Sequence, residues 1–183
     1  MVFKTVDIND ALARMAVPAI TAPVAVDGEA TSAEWGKSLL CTSLYEYKQA
    51  NGYLSNCNSD VQTRFRFAHD KKNLFCLVDF QAAGTSDIAK IYLAKDNENE
   101  PKVLVANLQE GKVALEGQDD AAIKAKVNGT KMEIQIPLET LGLKDQPSFL
   151  ANIYRQQDEK KTYWRGNEVS IDDPVVYAKF ILQ

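Results

Sequence analysis

Polar and apolar residues alternate along much of the chain, and the clearest alternation spans residues 123–137. Every second residue of Ile123–Val127 is apolar, and Lys131–Ile136 alternates again. Asn128-Gly129, between the two arms, is a preferred sequence for a two-residue type I′ turn. Pro137 has no N–H to donate to the ladder and therefore stops the return strand. The pattern predicts an antiparallel hairpin with one buried face.

Similar short runs recur at regular intervals. Val61–Phe67 alternates, with Arg64 and Arg66 on the face opposite Phe65, and Leu74–Phe80 is apolar on nearly both faces, as in a central strand. Further strands are predicted at residues 88–94, 103–108, 112–116, 149–155, 161–165 and 175–182. Together they predict an all-β fold: a two-layer, mainly antiparallel β-sandwich with one or two short helical turns.

Residues 1–22 differ in pattern from residues 23–183, which are predicted to form the sandwich domain. Asp7–Met15 suits a short amphipathic helix, and the prolines in Ala16–Pro23 suit an extended tail or linker. The alternative is an N-terminal strand that pairs with the edge of the sandwich. Residues 42–60 are polar and rich in Asn, which predicts a long loop, and long loops often carry function.

The segment that opens the predicted domain combines a short strand with a helical turn. Val24–Gly28 is expected to form the strand and to end in an Asp-Gly turn. Thr31 and Glu34 have the spacing of a capping box, which predicts a brief helix. Trp35 falls in that helix and is expected to lie in the core.

Composition excludes some classes of function. The 183 residues carry a net charge of −4, which argues against a nucleic-acid binder because such a protein needs a basic surface. No apolar run approaches the roughly 20 residues of a membrane span, and the first residues lack a signal-peptide pattern. The three cysteines have no metal-like spacing. Cys76 is expected to be a buried thiol, and a disulfide between Cys41 and Cys57 is left open.

Five segments, taken in order, resemble carbohydrate-binding modules of family 9. They are Val26-Asp-Gly28 with Ala33-Glu-Trp35, Thr63–Phe75, Lys131–Gly142, Phe149–Arg155 (with Phe in place of the family's Trp), and Trp164 followed by Val175–Leu182. The resemblance covers roughly residues 22–183. It implies a β-sandwich of the DOMON-like superfamily, whose members bind sugars or haem. It also implies a secreted or periplasmic setting as an accessory module covalently attached to a carbohydrate-active enzyme.

A sugar ring has C–H patches on its faces and hydroxyls at its rim, so its binding site needs aromatic walls and planar polar groups. The resemblance implies two walls, one from the region of Trp164; alternatively, Trp164 plugs an edge of the sandwich. Tyr53 is the candidate for the second wall, in competition with Tyr45 and Tyr47, and a solvated loop tyrosine is the alternative. The family's first wall is usually Trp, and this region contains none.

Four polar residues complete the predicted carbohydrate site. The forks of Arg64 and Arg66 can hold vicinal hydroxyls or a carboxylate; alternatively, they form a solvated face paired with acids such as Glu133. Asn152 and Arg155 belong to a segment that the family keeps, and each can bind sugar or lock a loop through structural hydrogen bonds.

Cofactors receive little support from the residues. His69 is the only histidine, so a triad, a metal pair or a proton relay is not expected. Haem is not expected either, because Met15 and Met132 are not placed to join His69 as axial ligands. The resemblance implies that structural calcium is an option, held by loop carboxylates. The loops carry many carboxylates but no EF-hand spacing, so the ligands are not assigned.

Three hypotheses follow for the function. The first is a non-catalytic module that binds a polysaccharide or its chain end by aromatic stacking and so targets an attached enzyme. The second is a structural or protein-interaction β-sandwich that has lost the sugar site. The third is a catalytic domain, but no pair of carboxylates marks a glycosidase cleft, so no hydrolysis of aryl glycosides is expected.

Overall fold

The computed structural model describes residues 14–20, 24–50, 53–96, 100–118 and 121–183, and for residues 47–50 and 53–58 it describes the backbone alone. The strands are β1 (Arg14–Val17), β2 (Tyr45–Ala50), β3 (Tyr53–Asn58), β4 (Thr63–His69), β5 (Asn73–Phe80), β6 (Asp87–Ala94), β7 (Lys102–Asn107), β8 (Lys112–Leu115), β9 (Lys124–Asn128), β10 (Lys131–Pro137), β11 (Ser148–Gln157), β12 (Lys160–Tyr163) and β13 (Ala178–Leu182). A helical turn, α1 (Ser32–Trp35), and a 3₁₀ turn (Pro174–Val176) complete the elements. None of the described helical turns is long and apolar enough to cross a membrane.

The strands form two sheets, which confirms the predicted all-β, mainly antiparallel sandwich. The larger sheet has the order β3-β2-β12-β11-β6-β7-β8, and β13 pairs with the first half of β11 while β12 pairs with its second half. The smaller sheet has the order β4-β5-β10-β9. The predicted hairpin 123–137 is present as β9 and β10, joined at Asn128-Gly129, where Gly129 has a φ of 59°.

The main core lies between the two sheets and is built from their alternate apolar residues. Met132, Ile134 and Ile136 of β10 are fully buried in it, as their alternation predicted. The same core contains Phe149, Ile153 and Phe180 of the larger sheet. Burying one face of each sheet in this way is the main source of stability for such a fold.

Residues 14–20 belong to the sandwich. β1 runs parallel to β13, and Ala19 forms a further bridge with His69. This part of the N-terminal segment is therefore a strand paired with the sandwich, which was the alternative to an extended tail or linker. The rest of the predicted helix, before residue 14, lies outside the described residues.

Two local predictions were wrong. Residues 42–60 do not form a long loop, because β2 and β3 pair as an antiparallel hairpin at the edge of the larger sheet. Asn51-Gly52 between these strands is the same turn signal as Asn128-Gly129, and the polar composition of the hairpin obscured it. Val24–Gly28 is not a strand, since its backbone is held by a side chain of β10 instead of a neighbouring strand.

That side chain is Glu133, which lies on the outer face of the smaller sheet and is completely buried. Its carboxylate accepts hydrogen bonds from the backbone N–H groups of Asp27 (3.2 Å) and Gly28 (2.8 Å) and from Nε1 of Trp35 (2.8 Å). Trp35 is 3% exposed, as predicted, and α1 begins with the expected capping contacts between Thr31 and Glu34. The segment 24–41 therefore covers part of this outer face, and Glu133 anchors it.

Candidate functional site

Trp164 directly follows β12, and its half-buried ring packs against the main core. Its ring meets Phe65 edge-on, with centroids 4.9 Å apart, and lies 6.2 Å from the ring of Phe180. The guanidinium of Arg165 lies 5.8 Å from the indole centroid. The ring is therefore partly sealed against the core, and only its exposed part is left for a ligand.

Arg64 and Arg66 lie on the other side of the smaller sheet from Trp164. Phe65, between them in β4, points into the core and contacts Trp164, and neighbouring residues of a strand point to opposite faces. Both arginines line a cavity of about 260 Å³ between α1 and the outer face of the sheet, here called the arginine groove. The structure therefore does not bring Trp164 and this arginine pair together in one site.

Arg155 is completely buried and belongs to the interior of the sandwich. Its Nε donates to Asp87 at 2.7 Å, and Nη1 donates to the carbonyls of Gln62 (2.6 Å) and Gln81 (2.9 Å). Its guanidinium also lies 5.3 Å from the ring centroid of Phe80. Arg155 therefore makes structural hydrogen bonds, because its buried guanidinium offers no surface to a polysaccharide.

Asn152 lies on the outer face of the larger sheet and clamps the segment that follows Trp164. Its Nδ2 donates to the carbonyl of Arg165 at 2.9 Å, and its Oδ1 accepts from the N–H of Arg165 at 3.2 Å. Arg165 Nε in turn donates to the carbonyl of Val176 at 2.9 Å. Asn152 thus locks the loop 164–177, which folds back over this face.

Tyr53 is placed on β3, and its side chain and that of Tyr47 lie outside the described residues. Tyr45, their competitor, is half-buried and lies directly opposite Tyr163 in the register of β2 and β12. Directly opposed residues share one face of a sheet, so Tyr45 also belongs to the outer face of the larger sheet.

This outer face carries an aromatic row that sequence reasoning missed. Tyr163 lies opposite Tyr154, and Tyr154 lies opposite Lys90 on its other side. Tyr92 lies two residues beyond Lys90 on the same face of β6. A cavity of about 220 Å³ opens here, and we call it the tyrosine groove. It is lined by Lys90, Tyr92, Tyr154, Gln156, Lys161, Tyr163, Glu168 and Ile171.

The floor of the tyrosine groove is aromatic and its rim is charged. The rings of Tyr154 and Tyr163 lie 5.1 Å apart at 46°, and Tyr92, Tyr154 and Tyr163 are 4–9% exposed. At the rim, Lys90 pairs with Glu116 at 2.7 Å and Lys161 pairs with Glu168. The groove therefore combines a small apolar floor with carboxylate, ammonium and amide groups that can bond hydroxyls.

Burial controls the protonation of the tyrosines. Loss of solvation raises the pKa of both Tyr92 and Tyr163 well above the ordinary tyrosine value, and nearby carboxylates add to the effect. Desolvation also raises the pKa of Tyr154, whose hydroxyl donates to Gln156 Oε1 at 2.9 Å. All three hydroxyls therefore stay protonated well above neutral pH.

The alternation of each strand could have placed these tyrosines on an outer face. Tyr92, Tyr154 and Tyr163 each fall between residues that are buried or half-buried inside the sandwich, in segments predicted as strands. Tyr154 and Tyr163 come from the consecutive strands β11 and β12, which form a hairpin. Their convergence with Tyr92 depends on the pairing of β6 with β11, which the sequence does not reveal, because these two strands come from distant parts of the chain.

The described residues form neither a metal site nor the disulfide left open by the sequence. Among the residues that the structure describes, no group of three or more His, Cys, Asp or Glu side chains is arranged to hold a metal ion. The carboxylates of Glu98, Asp119 and Asp120 lie outside those residues. Cys41 is a buried free thiol with Sγ 3.7 Å from Met15 Sδ, so the disulfide with Cys57 is not present.

Comparison of the chain with family models, curated proteins and solved structures finds no match. The resemblance to family 9 carbohydrate-binding modules therefore stays a prediction.

Proposed function

We propose that this chain is a non-catalytic carbohydrate-binding domain and that the tyrosine groove is its sugar site. The observation that carries the proposal is the convergence of Tyr92, Tyr154 and Tyr163, from three adjacent strands, on the floor of one groove with a polar rim. An aromatic floor suits the C–H face of a sugar, and hydroxyl, amide and charged groups suit its rim.

The rim supplies both kinds of hydrogen-bonding partner that sugar hydroxyls need. Glu168 accepts, Lys90 and Lys161 donate, and Gln156 can do both. Asn152 contributes indirectly, because it fixes the loop that carries Glu168 and Ile171. We assign it a positioning role in place of the direct contact predicted from the sequence.

We expect weak binding, micromolar or weaker. Each floor tyrosine is at most 9% exposed, so the aromatic area available for stacking is small. The hydroxyls of the sugar must also be desolvated, which offsets much of what the new contacts contribute. Weak binding suits a module that keeps a covalently attached enzyme near a polysaccharide in a secreted or periplasmic setting.

Glu168 offers the sharpest test because its side chain is 69% exposed and its removal should not disturb the fold. Affinity electrophoresis through a panel of neutral polysaccharides identifies a ligand for the wild-type chain. We expect Glu168→Ala to weaken retention about fivefold or more, since it removes a charged acceptor from the site. Tyr154→Phe, which keeps the ring and removes one hydroxyl, should weaken it to a smaller degree.

Glu110→Ala is the matched control. Glu110 is similarly exposed, at 58%, and similarly placed beside a lysine, Lys112, but it lies outside the groove. Equal retention of the wild type and both Glu variants would reject the tyrosine groove as the site. Absence of retention by every polysaccharide and on a glycan array would reject carbohydrate binding itself. Hydrolysis of aryl glycosides by the isolated chain would reject the non-catalytic assignment.

A second candidate function is protein interaction on the same fold. Leu39 and Leu40 are 49% and 41% exposed and adjacent, beside a cavity that Met15 and Pro18 also line. Exposed neighbouring leucines are a feature of interaction surfaces. A glycan array without hits, together with a partner whose capture is lost in Leu39→Asp, would favour this candidate.

A further inference from the structure

The arginine groove carries an excess of positive charge on a chain that is acidic overall. Three cationic residues line it, Arg64, Arg66 and Lys131, against one acidic residue, Asp79. The difference is 3 − 1 = +2, whereas the chain as a whole carries −4. Glu133 lies in the same sheet face, but it is completely buried beneath Trp35 and does not line the cavity.

Register explains why these charges converge. Asp79 of β5 lies directly opposite Arg64 of β4 on one side and Lys131 of β10 on the other. The two cations therefore lie two strand spacings apart, about 10 Å. Arg66 lies two residues along β4 and faces the same side.

Two of the three cations have side chains that are free to take a ligand. Within the described part of the chain, the side chains of Arg64 and Lys131 form no ion pair and no hydrogen bond. Asp79 instead accepts a hydrogen bond from Thr130 Oγ1 at 3.1 Å. Arg66 is held in place by Nη1, which donates to the carbonyls of Ser38 (2.6 Å) and Trp35 (3.3 Å).

The floor of this groove is partly apolar. Leu77 and Trp35 line it, and Leu40, which is 41% exposed, forms part of its wall. A cavity with an apolar floor and guanidinium groups suits a ligand that has both a carbon face and an oxyanion, because Arg pairs bidentately with carboxylates and related anions.

We infer that the arginine groove is a second, independent binding site, on the opposite outer face from the tyrosine groove, and that it takes an acidic sugar residue with its carboxylate or sulfate on Arg64, Arg66 and Lys131. That the anion belongs to a saccharide rests on the proposed function. The preference for an oxyanion rests on the groove alone. Two sites on opposite faces would let the domain bridge neutral and acidic chains of a polysaccharide mixture.

The experiment compares retention by polygalacturonate with retention by the same polymer after complete methyl esterification, which removes the charge and keeps the backbone. Dextran sulfate against dextran tests the sulfate source. The variants are Arg64→Gln and Lys131→Gln, which leave the backbone contacts of Arg66 intact. We expect each to weaken retention by at least one of the two charged polymers about tenfold, and both to leave retention by the uncharged polymers unchanged.

Lys124→Gln is the matched control. Lys124 is an exposed cation on β9 of the same sheet, it lies outside the groove, and its loss changes the net charge by the same amount. Circular dichroism and the urea midpoint confirm that all three variants fold.

Each outcome is decisive. Loss of retention in the two groove variants but not in Lys124→Gln supports the inference. Equal weakening in all three variants shows nonspecific attraction to a polyanion and overturns it, as does retention of the wild type by neither charged polymer. Weakening of charged-polymer retention by Glu168→Ala, with Arg64→Gln unaffected, would move the acidic sugar to the tyrosine groove. If neutral polysaccharides fail to bind the tyrosine groove, the comparison of charged and esterified polymers still tests the arginine groove.

Discussion

Replacing Glu133 with Gln tests how the outer face of the smaller sheet is held together. The carboxylate is completely buried, and it accepts three hydrogen bonds from neutral donors at 2.8–3.2 Å. Glutamine has almost the same shape but a single acceptor oxygen. Its NH₂ group must therefore face either Trp35 Nε1–H or the two N–H groups of Asp27 and Gly28.

The expected loss of stability follows from the number of hydrogen bonds that glutamine cannot accept. A buried donor that loses its acceptor costs about 1–3 kcal/mol, and the remaining bonds weaken when the acceptor is no longer charged. We therefore expect Glu133→Gln to lower the free energy of unfolding by about 2–4 kcal/mol. For a chain of this length, that corresponds to a fall in Tm of roughly 4–16 °C.

Urea unfolding, followed by circular dichroism at neutral pH, measures the effect. Glu139→Gln is the control, because the Glu139 side chain is 80% exposed and its only described ion pair, with Lys144, is 3.8 Å long. We expect this control to change stability by about 0.5 kcal/mol or less. If Glu133→Gln and Glu139→Gln unfold at the same urea concentration as the wild type, the hydrogen-bond reasoning is refuted.

Three further predictions concern buried and half-buried side chains. Arg155→Met should cost about 3–5 kcal/mol in urea unfolding, because it leaves the carboxylate of Asp87 buried without its cation; a loss under 1 kcal/mol would contradict this. Trp164→Ala should cost about 2–4 kcal/mol, since the ring packs on the core, and an unchanged midpoint would show that this packing is unimportant. Burial raises the pKa of Tyr92 and Tyr163, so folding favours their protonated forms. The contribution of these two tyrosines to the free energy of unfolding should be fully present below about pH 10, the pKa of an unfolded tyrosine, and should be lost as the pH rises above it. A urea midpoint that stays constant from about pH 9 to pH 11 would count against this third prediction.

Local sequence signals predicted much of the fold and little of the candidate sites. Arg64 and Arg66 were recognised because their alternation with Phe65 is visible within one strand. For Trp164 and Arg155 the sequence left a binding role and a structural role open, since the direction of a side chain near a strand end or inside a charged segment depends on what packs above it. The alternative for the arginine face, a pairing with Glu133, does not occur for Arg64, because Glu133 is buried under Trp35.

The sequence by itself determined the strands from β4 onward, the Asn128-Gly129 turn, the capping of α1 and the core face of β10. All of these depend on residues within a few positions of one another, where turn geometry and the two-residue period of a strand act. Only the tertiary structure decided that Tyr92, Tyr154 and Tyr163 share a floor, and that Asp79 lies between Arg64 and Lys131. Those groupings depend on which strands become neighbours and in what register, and that is settled by the burial of the whole core at once.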